Sequence, residues 1–194
     1  MCSNKLSSTM KLKVLILLVA PLLCLSWIRS PESYADEYIE AYKDLAVIEM
    51  HRTGVPASIT LAQGLHESNF GTSKLATEAN NHFGIKCKSY WQGGTYYYKD
   101  DDLDKKGKLI ESCFRSYDSA LESYVDHSNF LTRSAHYSEL FQLNVLDYKS
   151  WAYGLKRCGY ATDPNYAEKL IRKIEKYNLS IYDLAECPLK NFAN

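Results

Sequence analysis

The stretch "VPASITLAQGLHESNFGTS", Val55 to Ser73, constrains the fold more than any other part of the chain. Pro56 fits a first helical turn, and Val55, Ile59, Ala62, His66 and Phe70 recur at helical spacing along one face. An apolar helix of this kind has to be covered by the rest of the molecule. At about 100° per residue, Glu67 falls at the edge of that face, one turn after Gln63, and Gly71 reads as the stop. The expectation is a buried helix that delivers one carboxylate to a rim.

Helical patterns surround it. "ADEYIEAYKDLAVIEMHRTG" spaces Ile39, Tyr42, Ala46 and Met50 as a helix face, with Gly54 as the stop. Farther on, "YDSALESYVDHSNFL" carries Ser119 and Glu122 at capping-box spacing. "DYKSWAYGLKRCG" puts Tyr148, Trp151, Ala152 and Leu155 on one side before Gly159. In "TDPNYAEKLIRKIEKYN", Asp163 reads as a cap and Pro164 as a first-turn residue, with a stripe of Tyr166, Leu170, Ile171, Ile174 and Tyr177. Between these runs, the region 88–115 changes character. Thr95–Tyr98 and Leu109–Phe114 are β-prone and flank a turn rich in Asp and Lys, which predicts a β-hairpin. The fold class expected is mainly α, an α+β arrangement in which a helical domain over residues 31–186 carries an inserted β-hairpin lobe.

Residues 1–30 read differently. "MKLKVLILLVAPLLCLSW" has two lysines ahead of a short apolar run, the pattern of a signal peptide or an N-terminal anchor, and an exported protein follows from it. Residues 187–194 read as a C-terminal tail. The 23 basic and 23 acidic residues balance, so no field favours nucleic acid. Tyrosine is abundant, 16 against 6 phenylalanines, and its apolar ring with a polar tip suits wet grooves as well as cores. Cys87, Cys113, Cys158 and Cys187 remain after signal removal, an even set that points to disulfides in three possible pairings.

A helix-end Glu facing an Asp-rich hairpin is an arrangement that glycoside hydrolysis uses. One carboxylic acid protonates the leaving oxygen, and a second carboxylate stabilises the oxocarbenium-like charge or activates water. Glu67 has Leu65 and Phe70 as apolar neighbours, and the hairpin offers Asp100, Asp101, Asp102 and Asp104.

The motifs "AQGLHESNFGTS", "ANNHFGIK", "CFRSYDSALESYVDHSNFL" and "WAYGLKRCGYATDPNYAEKLI" occur in this order. Together they resemble family 73 of the glycoside hydrolases, the glucosaminidase domain of bacterial autolysins and flagellar peptidoglycan hydrolases. The resemblance covers about Ile48 to Tyr182. It implies a lysozyme-like fold whose β-lobe lines a substrate cleft, and an endo-beta-N-acetylglucosaminidase cutting the β-1,4 bond after N-acetylglucosamine. It makes Glu67 the general acid. Counting forward from "GIK" and the aromatic-x-Gly that follows, the second acid falls on Asp102, with Asp101 next. Many relatives carry Glu there, one methylene longer. A mechanism assisted by the substrate's N-acetyl group lessens the need for that residue.

The resemblance also places Tyr160 near the scissile bond and Tyr166 at the substrate or in the core. Asn81 and Phe83 would shape the cleft floor. Gln63 is positioned to bond Glu67 or a sugar, and Trp91 to stack on a sugar face. Arg115 supports the lobe through ion pairs. Peptidoglycan glycan strands are the implied partner, with no obligate protein partner and no metal or organic cofactor.

Cys87 and Cys113 bracket the lobe where the chain enters and leaves it, and a disulfide between them is expected. Cys158 and Cys187 would be left to pair. Three rival readings stand beside this one. Cys87 with His82 could form a cysteine-peptidase pair; the cleft could bind peptidoglycan without cutting it; or the bond cut could follow N-acetylmuramic acid, as in muramidases and lytic transglycosylases. A zinc site built on His66, Glu67 and His82 lacks the HExxH spacing.

Overall fold

The computed structural model describes residues 31–103 and 106–192, except the side chains of 31, 100–102, 191 and 192. The expected signal or anchor over 1–30, Asp104, and the side chains of Asp100, Asp101 and Asp102 lie outside the described residues. Contacts divide the chain at Ser33/Tyr34, and the unit Tyr34–Asn194 carries the elements that build the site.

Six α-helices and one hairpin are described in this order: α1 Pro31–Thr53, α2 Ala57–Glu67, α3 Lys74–Ala79, β1 Gly94–Leu103, β2 Leu109–Ser116, α4 Ala120–Arg133, α5 Tyr148–Arg157 and α6 Tyr166–Lys176. Short 3₁₀ segments, Ala135–Gln142 and Leu179–Leu184, follow α4 and α6. The mainly helical architecture with an inserted hairpin is therefore as expected.

Within the unit Tyr34–Asn194, α2 is enclosed by other elements. Every residue from Ala57 to Leu65 is buried, not only the predicted face. The reason lies in what surrounds it, with α5, α6 and the Leu179–Leu184 segment all packing against it. Its first turn has no side-chain cap of its own. Instead the backbone N–H of Ser58 donates to Asp183 Oδ1 at 2.8 Å, a cap supplied from 125 residues away. Along the helix, Gly64 admits the Tyr38 and Tyr124 hydroxyls, and a Cβ there would overlap Tyr38 Oη. Tyr124 donates to Tyr38 Oη at 3.0 Å, and Tyr38 shares a 3.1 Å bond with His82 Nδ1. The tyrosines thus enter the core with their polar ends joined in a chain.

Two local expectations are corrected. The predicted stop of α2 at Gly71 comes earlier, at Glu67, because Asn69 and Phe70 turn left-handed (φ 49° and 59°) ahead of Gly71. Helix α6 starts at Tyr166, with Asp163 and Pro164 in the turn before it; Asp163 Oδ1 accepts from the Asn165 N–H at 2.9 Å. Sequence reading also passed over α3, a single short helix capped by Ser73, whose side chain accepts from the Ala76 N–H.

The lobe is a two-stranded antiparallel sheet, with Gly94 opposite Ser116 and Lys99 opposite Glu111. Segment 85–87 runs beside β2: Arg115 N–H donates to Ile85 O and Cys87 N–H to Cys113 O. The expected Cys87–Cys113 disulfide is present, its Cα atoms 5.3 Å apart. Closing such a loop constrains the unfolded chain by about 3–4 kcal/mol on the chain-entropy account. It also leaves no thiolate at Cys87, which removes the cysteine-peptidase reading.

Cys158 and Cys187 do not pair; both are free thiols. They belong to different neighbourhoods. Cys158 Sγ faces Glu139 Oε1 at 3.5 Å, whereas the chain two residues before Cys187 is tied to α1, where His51 Nε2 meets Ala185 O at 2.9 Å.

Candidate active site

Glu67 is the last residue of α2, half-buried where the helix meets the cleft. The turn behind it is held by Ser68, whose hydroxyl donates to Gly64 O at 2.5 Å and accepts from the Gly71 N–H at 2.7 Å. Phe70 N–H returns to Leu65 O at 3.1 Å. A left-handed phenylalanine costs on the order of 1–3 kcal/mol, and such strain gathers at functional sites. Here it ends the helix abruptly, so that Glu67 stands at the rim with a rigid helix behind it.

One neighbour from a distant part of the chain then fixes the carboxylate. Tyr166 Oη donates to Glu67 Oε1 at 2.9 Å and accepts from Gln63 Nε2 at 3.0 Å. Gln63 is fully buried and Tyr166 nearly so. Sequence reading placed Gln63 against Glu67 or a sugar; the structure sends its amide to Tyr166, which passes the contact on. Tyr160 stacks on Tyr166, ring centroids 5.6 Å apart, and lines the cleft beside Glu67. Burial, reinforced by the Glu67 carboxylate, raises the Tyr160 phenol well above its ordinary pKa, so it stays protonated and able to donate.

The cleft encloses about 490 Å³. Glu67, Tyr160, Tyr137, Phe83, Lys86 and Lys88 are among its walls, and Glu67 is the one carboxylate among the described lining residues. Across from the helices stands the lobe, which contributes Phe114 of β2 to the wall. In the lobe, β1 runs four residues from Lys99 to Leu103 while β2 runs two, from Glu111 to Leu109. The Asp100–Asp102 backbone therefore bulges out of the ladder. Bulges of this kind often sit beside active sites and re-aim side chains.

The remaining candidates separate. Phe83 is buried in the cleft wall, stacked on His127 with centroids 4.0 Å apart. Asn81 is also buried, but its amide is committed to the backbone: Nδ2 donates to Ile85 O and Arg115 O, and Oδ1 accepts from the Ile85 N–H. It stitches the lobe to the helices. Trp91 lies outside the cleft, its Nε1 donating to Gly94 O at 2.9 Å and its ring under the Arg115 guanidinium at 4.5 Å. Arg115 pairs with Asp126 through Nη1 at 2.7 Å, the supporting role expected of it.

Sequence reading missed Tyr137, Phe130, Lys86 and Lys88 as wall residues. A trace of the lysines was available, since "KCK" in an extended segment puts both on the face opposite Cys87.

A helical domain with a hairpin lobe, and a cleft between them walled by a helix-end Glu and tyrosines, is the build of a lysozyme-like glycoside hydrolase. Residues 43–179 match the glucosaminidase family, described as mannosyl-glycoprotein endo-beta-N-acetylglucosaminidase. The chain belongs to this family, family 73 of the glycoside hydrolases. It is 37% identical over 158 residues to the exo-glucosaminidase LytG of Bacillus subtilis, covering 79% of this chain and 55% of that protein. It is 32% identical to the peptidoglycan hydrolase FlgJ of Salmonella typhimurium, covering 68% of this chain and 42% of that one. The chain thus spans about half the length of these relatives. Among solved structures, the catalytic domain of the Listeria monocytogenes autolysin Auto superposes with a TM-score of 0.69 at 24% identity, covering 92% of this chain and 99% of that one. The glycoside hydrolase domain of Salmonella typhimurium FlgJ gives 0.61 at 27%, covering 81% and 97%.

Proposed function

We propose that this protein is an exported peptidoglycan hydrolase that cuts the β-1,4 bond after N-acetylglucosamine in cell-wall glycan. The observation that carries the reading is the lone described carboxylate of the cleft, Glu67, clamped by Tyr166 at the end of a buried helix. Membership of the glucosaminidase family and relatives named as peptidoglycan hydrolases supply the substrate class.

In this reading Glu67 gives its proton to the glycosidic oxygen as the bond to the anomeric carbon breaks. Water adds to that carbon, and its surplus proton returns to the Glu67 carboxylate. Tyr166, holding Oε1, sets the rotation of the carboxyl group, and Tyr160 offers a phenol proton beside it. The oxocarbenium-like charge is met by Asp102 or Asp101 from the bulge of β1, or by the substrate's own N-acetyl oxygen. Phe83 and Tyr137, both buried, back the apolar wall against which sugar rings lie. Proton transfer and water suffice for every step.

Digestion of purified peptidoglycan by the protein and by Glu67→Gln, with mass analysis of fragment ends, tests this directly. New N-acetylglucosamine reducing ends, absent with the variant, are expected. Muramic acid ends would move the cut to the other bond and make the protein a muramidase or lytic transglycosylase. Intact glycan that still co-sediments with the protein would make the cleft a binding site alone. Substituting Asp101→Asn and Asp102→Asn separately then identifies the second carboxylate as the one whose loss lowers kcat.

A further inference from the structure

A second groove, of about 550 Å³, adjoins the cleft. Its walls include Lys88, Tyr90, Arg115, Asp126, Phe130 and Arg133. Lys88 and Phe130 line both cavities, so the groove continues the cleft along the junction of lobe and α4. The charge on its walls is unequal: three cations against one carboxylate. That carboxylate is already spent within the protein. Arg115 Nη1 meets both Asp126 oxygens, at 2.9 and 2.7 Å, and Tyr117 donates to the same group at 2.6 Å. Lys88 and Arg133 are exposed and have no carboxylate partner among the described residues. The buried Arg115 Nε–H likewise has no partner there.

A glycan of N-acetylated sugars, its lactyl groups in amide linkage to peptide, is uncharged, and cationic walls gain little from it. The peptide stems are different, since they carry free carboxylates that accept charge-assisted hydrogen bonds from Lys and Arg. We infer that this groove takes the peptide stem of the substrate, with Lys88 and Arg133 on its carboxylates and with Tyr90 and Phe130 against its alkyl portions. The inference rests on the peptidoglycan reading above and adds what that reading lacks, a basis for choosing among stems. Glycan would lie in the cleft at Glu67 while the stem of an adjoining muramic acid runs into the basic groove.

The test compares two preparations of one peptidoglycan, both with stem amines acetylated, one with stem carboxylates free and the other with them capped as methylamides. Reducing-end release should give a kcat/KM about threefold to fivefold higher on the free-carboxylate strands, as exposed ion pairs allow. The preference should shrink as salt rises from about 0.05 to 0.5 M. Arg133→Glu should abolish or reverse it. Equal rates on the two strands, or a preference that survives Arg133→Glu, would overturn the inference. Co-sedimentation of both strands with Glu67→Gln reads the groove without cleavage. A carboxylate preference in that binding, with no cleavage by wild type, would retain the groove and sink the hydrolase reading instead.

Discussion

Tyr166 and Glu67 lie 99 residues apart in the chain and share one hydrogen bond, Oη to Oε1 at 2.9 Å. Gln63, one turn before Glu67 on α2, completes a line of three buried or half-buried side chains by donating to the same phenol oxygen. The first turn of α6 thereby sets the orientation of a carboxylate on α2. Neither helix can do this alone, because each contributes only one side of the contact.

Tyr166→Phe should therefore lower kcat far more than it alters KM. The ring still fills its place, but Glu67 loses its anchor and Gln63 Nε2 is left unsatisfied. A loss on the order of tenfold to a hundredfold is expected for a misplaced catalytic group. Steady-state rates on solubilised peptidoglycan check it. Combining the change with Gln63→Leu should cost less than the sum of the two single changes, since both act through one hydrogen-bonded line.

Gly64→Ala should destabilise the fold by about 1–3 kcal/mol, the usual cost of overpacking. The added methyl group overlaps Tyr38 Oη and would pry apart the Tyr38–Tyr124 pair. Denaturant titration monitored by tyrosine fluorescence reads the loss. An unchanged midpoint would mean that α2 and α1 can separate freely at this point.

Acid should weaken the protein through two histidines. Burial lowers His82 from 6.5 to about 4 and His127 from 6.5 to about 3. Both remain neutral in the folded state at pH values where the unfolded chain has already taken up a proton. The unfolded state then binds more protons, so stability is full above about pH 6.5 and declines as pH falls towards 4 and 3. His82 faces Tyr38, Tyr42 and Tyr124, and His127 faces Phe83 and Tyr160, none of which supplies a compensating charge in this range. The melting temperature should drop between pH 6.5 and 4, and His127→Phe should flatten the slope. A slope unchanged in that variant would assign the acid sensitivity elsewhere.

Much of the fold was legible because its signals are local. The helix faces around Ile39, Trp151 and Leu170, the stop at Gly54 and the Ser119 cap all follow from spacing and capping chemistry that a short window contains. The hairpin and the cysteines at its borders were equally plain. Reading failed where a distant partner decides. The cap on α2 comes from Asp183, and no pattern near Ser58 announces it. The same holds for the two free thiols, since an even cysteine count says nothing about which sulfurs meet.

For the site, the sequence by itself determined that Glu67 ends an apolar helix and that an acidic hairpin follows, because hydrophobic periodicity and turn residues are properties of adjacent positions. Only the tertiary structure decided what Glu67 touches. Gln63 turned from Glu67 to Tyr166, Asn81 proved committed to the backbone between lobe and helices, and Trp91 fell outside the cleft. The physical reason is that a buried polar group must satisfy its hydrogen bonds with whatever the packed chain brings within about 3 Å, and long-range packing makes that choice.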